Sequence, residues 1–109
     1  MAHSLVTIKK RSQFLHVRNN GKFIRSSSFN IQILEDIKLN RVISIGYTAT
    51  KRLGNAVIRN KSKRRMRELA RKVIVKYGKI NFYYVLIAKS QLLKKTFKEL
   101  ELELEKIIK

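Results

Sequence analysis

Most side chains in this sequence that could do chemistry are cations, and they are concentrated in residues 51–77. This stretch holds eleven Lys or Arg residues and one acid, Glu68. At helical spacing it separates into two stripes. The apolar stripe, which would pack on a core, comprises Met66, Leu69, Ala70, Val73 and Tyr77. The polar stripe, which would then face solvent, comprises Asn60, Lys63, Arg64, Arg67 and Arg71.

Such a strip of cations favours the binding of phosphate and sugar oxygens. Lys and Arg neutralise phosphates, and Asn can hydrogen-bond to phosphate or sugar oxygens. The alternative is an ordinary solvated helix face. Solvated faces usually mix acids with bases at i,i+4 spacing, whereas nearly every charge here is positive. The strip therefore predicts nucleic-acid binding.

Acids and histidines are too few and too scattered to predict a catalytic set. The acids before residue 99 are Glu35, Asp36 and Glu68. We expect the first two in a turn and Glu68 in a structural ion pair with the arginines beside it. His3 and His16 have no obvious carboxylate to orient them. Since no nucleophile–base set, metal-ligand spacing or phosphate-cradling Gly loop is visible, the chain alone is not expected to hydrolyse a phosphodiester.

The composition points to a polyanion as the partner. The formal net charge is +19 over 109 residues, and a domain this basic repels itself unless a polyanion neutralises it. A membrane surface is the second choice, but no run approaches the roughly 18 apolar residues of a spanning helix. The chain has no Cys, so neither a disulfide framework nor a Cys-based zinc site is expected. No secretory signal is visible, and we expect a cytoplasmic protein.

The order of residues 51–68 resembles the signature of the bacterial ribonuclease P protein component. That signature has two basic residues, then Gly-Asn-Ala-Val, then Arg-Asn-basic, then a basic run ending in Arg-Glu or Arg-Gln. The matching positions are Lys51, Arg52, Gly54, Asn55, Ala56, Val57, Arg59, Asn60, Lys61, Lys63, Arg64, Arg67 and Glu68. The family usually has Arg where Lys61 stands, a change that keeps the charge but loses a planar bidentate donor. An ordered match of this length is far more specific than a lone glycine motif.

The resemblance implies a subunit of an endoribonuclease that removes the 5′ leader of precursor tRNA. In that enzyme the RNA subunit is the catalyst and uses Mg²⁺, so no catalytic residue and no metal site are expected in the protein. Partners would be the ribonuclease P RNA subunit and precursor tRNA, with no small-molecule substrate. The residues implied to bind the RNA subunit are Arg52, Asn55, Arg59, Asn60, Lys61, Lys63, Arg64, Arg67 and Arg71. The residues implied to bind the leader are Phe14, Arg18, Gln32, Thr48 and Lys51.

Three of the leader-binding positions carry open questions. Phe14 matches an aromatic position of the family, but it could equally be a core residue. Arg18 stands where some members have a second aromatic residue. Gln32 stands where members often have an aromatic, and because Gln can only hydrogen-bond, any stacking role at that position is lost. Two other functions are a small ribosomal or other structural RNA-binding protein and a basic DNA-binding protein. The order of the motifs argues against both.

The elements that must position these residues form one domain, residues 1–109, of the α/β (α+β) class in order α-β-β-β-α-β-α. Residues 1–8 offer little order. The predicted elements are a helix at 12–19, strands near 22–28, at 29–33 and at 41–50, the basic helix after a Gly54-Asn55 turn, a strand at 82–88 and a helix capped by Ser90. The resemblance implies a two-layer sandwich with a left-handed crossover through the basic helix, although general rules favour a right-handed one.

Individual segments carry further expectations. The near-continuous apolar run at 82–88 is typical of a central strand covered on both faces. Gly46, Thr48 and Thr50 alternate with larger apolar residues and would leave one sheet face uncrowded, either for an extended nucleic-acid strand or simply for solvent. The last segment is read as a helix of about nineteen residues because it is rich in Glu and Lys and has no helix breaker. It holds four of the seven acids and should face away from a polyanion.

Overall fold

A mixed five-stranded sheet forms the centre of the structure, a computed structural model that describes residues 5–109. The strands are β1 (Leu5–Thr7), β2 (Lys22–Ile24), β3 (Phe29–Glu35), β4 (Ile43–Thr48) and β5 (Phe82–Ala88). Their spatial order is β1-β4-β5-β3-β2. β5 pairs parallel with β4 and antiparallel with β3, while β1 pairs parallel with β4 and β2 antiparallel with β3. The predicted central position of β5 is confirmed.

Four helices accompany the sheet. They are α1 (Arg11–Asn20), α2 (Ala56–Leu69), α3 (Val75–Tyr77) and α4 (Phe97–Ile108). A π-helical turn, Ala70–Ile74, joins α2 to α3, and short 3₁₀ turns lie at Ile37–Leu39, Lys51–Leu53 and Ser90–Leu93. The α+β class is confirmed, and β4, α2 and β5 form the parallel crossover that was expected. The hand of that crossover stays a prediction.

Helices cover the two sheet faces unequally. On one face, Ile31, Ile45 and Leu86 form the main core with Met66 and other residues of the basic helix and α4. The opposite face carries a smaller cluster in which Val17 of α1 packs with Ile8, Tyr83 and Val85. Alternation along each strand supplies both clusters, because successive side chains point to opposite faces. The apolar stripe predicted for the basic helix is buried as expected.

The N-terminal segment is more ordered than its sequence suggested. Leu5 lies opposite Ile43 in the β1–β4 register and packs against the main core. The expectation of little order is therefore wrong for residues 5–7, because the pairing partner lies nearly forty residues away and leaves no local pattern. Residues 1–4, including His3, lie outside the described residues.

The C-terminal helix is shorter than predicted. Ser90 opens a 3₁₀ turn, and Thr96 is the N-cap, forming a reciprocal capping box with Glu99. This box satisfies two backbone N–H groups at the start of α4, which is why the helix begins there.

Two of the four acids of α4 make contacts within the domain, and the orientation of this helix relative to a polyanion stays a prediction. Glu101 is buried and lies 4.0 Å from Lys72, which follows α2. The Glu103 carboxylate accepts hydrogen bonds from the Ser28 backbone N–H at 2.9 Å, the Ser28 hydroxyl at 2.7 Å and the Ser26 hydroxyl. Glu103 thereby ties the β2–β3 connection to α4.

Candidate nucleic-acid interface

The start of α2 is fixed by two residues of the predicted turn. The Asn55 side chain accepts a hydrogen bond from the Ile58 backbone N–H at 3.0 Å and so caps the helix. Gly54 adopts φ 154°, which disfavours residues with a Cβ, and an added Cβ would lie 2.9 Å from Ile58. Asn55 was predicted to bind the RNA subunit, and its side-chain oxygen is already used by this cap.

The cations predicted on the polar stripe do share an exposed surface, which we call the α2 cation face. Six of the nine residues proposed for the RNA subunit are exposed along the basic helix: Asn60, Lys61, Lys63, Arg64, Arg67 and Arg71. Arg52, in the 3₁₀ turn just before α2, is exposed as well. Since the opposite stripe is buried in the core, these side chains need no rearrangement to reach a phosphate backbone.

Arg67 is held in place by the sheet. Its guanidinium carbon lies 5.7 Å from the centroid of the Tyr47 ring on β4, a cation–π arrangement. Burial raises the pKa of the Tyr47 hydroxyl, and the nearby charges of Arg67 and Arg71 oppose that rise without cancelling it. This contact orients one cation of the face before any RNA binds.

Two arginines of α2 are less accessible than the cations of this surface. Arg59, which the resemblance implied to bind the RNA subunit, is half-buried, and its Nε is buried without a hydrogen-bond partner among the described residues. Arg65 is also half-buried and donates from Nη2 to the Lys95 carbonyl at 3.0 Å. Arg65 therefore links α2 to the start of α4.

The prediction for Glu68 is wrong. Among residues 5–109 the ion pairs within 4.0 Å do not include Glu68, which is exposed on the helix. Arg67 instead lies over Tyr47.

A second surface lies on the opposite side of the sheet, where a cavity of about 680 Å³ opens between α1 and the strands. We call it the α1 cleft. Its residues fall into an apolar floor, a row of hydrogen-bonding groups and a cationic rim. The apolar floor comprises Phe14, Leu15, Val85 and Ile87. The hydrogen-bonding groups belong to Gln32, Thr48 and Thr50, and the cationic rim comprises Lys9, Arg11 and Arg18.

Sheet register explains why these residues meet. Val85 on the central strand lies opposite Gln32 on one side and Gly46 on the other. Ile87 likewise lies opposite Thr48. Paired residues of neighbouring strands point to the same face, so the cleft floor is a continuous row across β4, β5 and β3.

Phe14 closes one end of the cleft. It is half-buried, packs against the smaller cluster and also lines the cavity. A Cβ added at Gly46 would lie 2.5 Å from the Phe14 ring, so this ring needs the glycine beneath it. The small-residue face is therefore only partly uncrowded: Ser44 and Gly46 are covered, while Thr48 and Thr50 remain open to the cavity.

The structure brings together four of the five residues proposed for the leader: Phe14, Arg18, Gln32 and Thr48. Lys51 is exposed and does not line the cavity, although it follows Thr50 directly. Lys9, Arg11, Val85 and Ile87 were missing from the prediction. The alternation of β5 could have suggested the last two, since they share a face with Thr48 once β5 is paired with β4.

α1 is positioned by an imidazole–carboxylate contact that the sequence did not suggest. His16 Nε2 lies 2.9 Å from Asp36 Oδ2, and the imidazole ring meets Tyr83 edge-on at 5.7 Å. The expectation that His16 has no orienting carboxylate is therefore wrong. The hydrogen bond from His16 and that from the Lys38 backbone hold the pKa of Asp36 below its usual value. This contact fixes the helix that carries Phe14 and Arg18.

Two further findings concern the described residues. Within residues 5–109, no three His, Asp or Glu side chains gather closely enough to hold a metal ion. No helix in that range combines the length and the apolar character needed to cross a membrane.

Comparison with known proteins identifies a family. A family model described as ribonuclease P matches residues 3–109. The ribonuclease P protein component of Gluconacetobacter diazotrophicus is 41% identical over 75 residues, covering 67% of this chain and 62% of that protein. The one from Caulobacter vibrioides is 37% identical over 82 residues, covering 75% and 54%. The chain thus spans less than two thirds of the length of these two relatives.

A solved structure shows the same architecture. The RNase P protein of Staphylococcus aureus superposes with a TM-score of 0.76 at 27% identity, covering 93% of this chain and 90% of that one. The mixed sheet and its helices are therefore an arrangement shared with that protein.

Proposed function

Because the chain belongs to the ribonuclease P protein family, we propose that it is the protein subunit of a ribonuclease P that removes the 5′ leader of precursor tRNA. The observation that carries the proposal is the pairing of two binding surfaces on one small domain. The α2 cation face lies on one side of the sheet and the α1 cleft on the other. Thr50 and Lys51 join the two, because the chain passes from the cleft into the turn before α2.

The α2 cation face suits the RNA subunit. A folded RNA presents closely spaced phosphates, and a row of exposed cations on a rigid helix can neutralise several of them at once. Arg67 is already ordered over Tyr47, so less side-chain freedom is lost when it binds. Arg64 and Lys63 are exposed beside it and would make charge-assisted hydrogen bonds to phosphate oxygens.

The α1 cleft suits a single strand such as the leader. Its floor is apolar and includes one aromatic ring, Phe14, on which a base can stack. Arg11 and Arg18 on the rim would follow the phosphate backbone, while Gln32 and Thr48 could hydrogen-bond to bases or sugars. The apolar floor and Phe14 favour the unpaired leader over the tRNA body, because only unpaired bases can expose their faces for stacking.

Under this proposal the protein binds and orients, and the RNA subunit performs hydrolysis with Mg²⁺. The Mg²⁺ ligands would then come from RNA. By neutralising phosphates, the α2 cation face and the cationic rim of the α1 cleft would lower the Mg²⁺ concentration at which the RNA subunit holds its substrate. Such a subunit would act in the cytoplasm, together with the tRNA precursors.

Reconstitution at low Mg²⁺ tests the proposal. The purified protein, treated with nuclease and repurified, is added to ribonuclease P RNA and a labelled precursor tRNA. We expect leader cleavage at a Mg²⁺ concentration where the RNA alone is inactive, and no cleavage by the protein alone. A structural RNA-binding protein of another kind would bind RNA without restoring cleavage. Site-specific cleavage by the RNA-free protein would contradict the division of labour.

A further inference from the structure

Phe23 is an exposed aromatic residue whose position is unexplained by the fold. It is the middle residue of β2, the edge strand of the sheet, and 49% of its surface is exposed. It is not one of the buried or half-buried residues of the two hydrophobic clusters, although its neighbour Ile24 packs against the main core. A large exposed aromatic on an edge strand is a liability for self-association unless it has a partner.

Register places Phe23 on the same sheet face as the α1 cleft. Phe23 lies opposite Gln32, Gln32 opposite Val85, and Val85 opposite Gly46. Paired residues share a face, so Phe23 extends the cleft floor by one strand. Three strand spacings of about 4.8 Å make this row about 14 Å long.

The charges around Phe23 indicate what kind of strand would lie there. Arg25 follows Phe23 shortly after and is exposed, whereas Lys22, also exposed, points to the other sheet face because successive side chains of a strand alternate. Arg18 on the cleft rim continues the positive charge towards Phe14. No acid lies between residues 1 and 34. A flat aromatic surface flanked by cations is suited to a nucleotide, whose base stacks while its phosphate pairs with Lys or Arg.

We propose that Phe23 is a stacking site for a leader nucleotide, lying beyond the nucleotides held in the α1 cleft. The inference rests on the proposed function, since the leader is the single strand that would occupy the cleft. A leader entering beside Thr48 and Lys51 reaches the β2 edge last. At the roughly 3.4 Å rise of stacked bases, about four nucleotides span the 14 Å row, and fewer if the strand is extended. Phe23 would therefore contact only the longer leaders.

The test is a set of precursor tRNAs whose leaders grow by one nucleotide at a time, bound to the reconstituted holoenzyme. In the wild type, affinity should rise in steps with leader length. Phe23→Ala should remove the last step, lowering affinity for long leaders by about 5-fold or more, the lower end of base–aromatic stacking. Affinity for mature tRNA and for the shortest leaders should stay within twofold of wild type.

Two replacements at the same position separate stacking from general packing. Phe23→Trp keeps an aromatic face and should retain the last step, whereas Phe23→Leu keeps apolar bulk and should lose most of it. Leu102→Ala is the matched control, because Leu102 is 48% exposed on α4, on the other side of the sheet. Leu102→Ala should leave the affinity for precursor tRNAs of every leader length unchanged.

The outcomes are distinct. Loss of the last step in Phe23→Ala and its retention in Phe23→Trp support the proposal. If Phe14→Ala weakens binding of leaders while Phe23→Ala changes nothing, the stacking site is wrong and the cleft stands. If wild-type affinity does not depend on the leader at all, the proposed function of the cleft fails as well. If Phe23→Ala abolishes self-association of the free protein in sedimentation without changing leader binding, Phe23 serves contact between copies and the proposal is overturned.

Discussion

Replacing Phe14 with Ala separates the two roles that its position allows. The ring packs against the smaller cluster and also lines the α1 cleft. If Phe14 were only a core residue, its replacement would lower folding stability alone. If it only lined the cleft, its replacement would lower leader affinity alone. Since Phe14 is half-buried, we expect both effects, each of a different size and each measurable separately.

The magnitudes follow from burial. A fully buried Phe→Ala change costs about 3–5 kcal/mol, so a half-buried ring should cost roughly 2 kcal/mol. For a domain of this size that corresponds to a melting temperature lower by roughly 8 °C. Loss of a stacked base should weaken binding of leader-bearing precursor tRNA by about 1–3 kcal/mol. Affinity for mature tRNA, which has no leader, should be unchanged.

Leu34→Ala provides the control. Leu34 is half-buried in the same cluster but does not line the cavity. A fully buried Leu→Ala change costs about 2–5 kcal/mol, so at half burial the change should lower the melting temperature by a similar amount. Both variants are compared in thermal unfolding of the free protein and in holoenzyme binding of leader-bearing and mature tRNA, well below either melting temperature.

The two variants should then diverge in one measurement only. Phe14→Ala should lose leader affinity selectively, and Leu34→Ala should not. If Phe14→Ala is as destabilising as Leu34→Ala and weakens binding of leader-bearing and mature tRNA equally, Phe14 belongs to the core. The assignment of the cleft to the leader is then wrong.

Three further predictions concern two arginines of α2 and one half-buried acid of α4. Arg64→Ala should weaken RNA-subunit binding by about 1–3 kcal/mol with no change in melting temperature. The slope of the logarithm of the binding constant against the logarithm of salt concentration should become less steep by about 0.7–0.9. A nearly flat salt dependence of wild-type binding would contradict the role of the α2 cation face. Arg65→Ala, by contrast, should lower the melting temperature, because its hydrogen bond to the Lys95 carbonyl is lost, and should change RNA affinity less than Arg64→Ala does. Burial alone would raise the pKa of Glu103, but the hydrogen bonds from Ser26 and Ser28 outweigh burial and lower that pKa. The ionised carboxylate therefore stabilises the folded protein at pH values above the ordinary Glu pKa of about 4.3. This stabilisation is lost as the pH falls through the lowered pKa of the folded state. The free energy of unfolding, measured as a function of pH, should fall less steeply on acidification in Glu103→Gln than in the wild type. If the two proteins lose stability in parallel as pH falls, this role of Glu103 is refuted.

Local patterns were sufficient for much of the fold. The Gly54-Asn55 turn, the buried stripe of the basic helix and the central strand β5 follow from residue spacing, and the structure agrees with each. Helical and strand periodicity are properties of neighbouring residues, so a single sequence carries them. Ser90 shows the limit of such signals: it is an acceptable cap, but Thr96 has the reciprocal partner Glu99 and defines the helix start.

The sequence by itself determined the chemical character of this protein: a cationic helix face, a shortage of acids outside the last helix, and the ordered motif that resembles ribonuclease P proteins. Only the tertiary structure decided which side chains are available for binding. It left Arg59 and Arg65 half-buried, paired His16 with Asp36 and gathered the α1 cleft from four segments of the chain. These contacts depend on strand register and on helix placement over the sheet, which bring residues together across long sequence separations. Periodicity tells which face of an element is buried, but not which partner that face will meet.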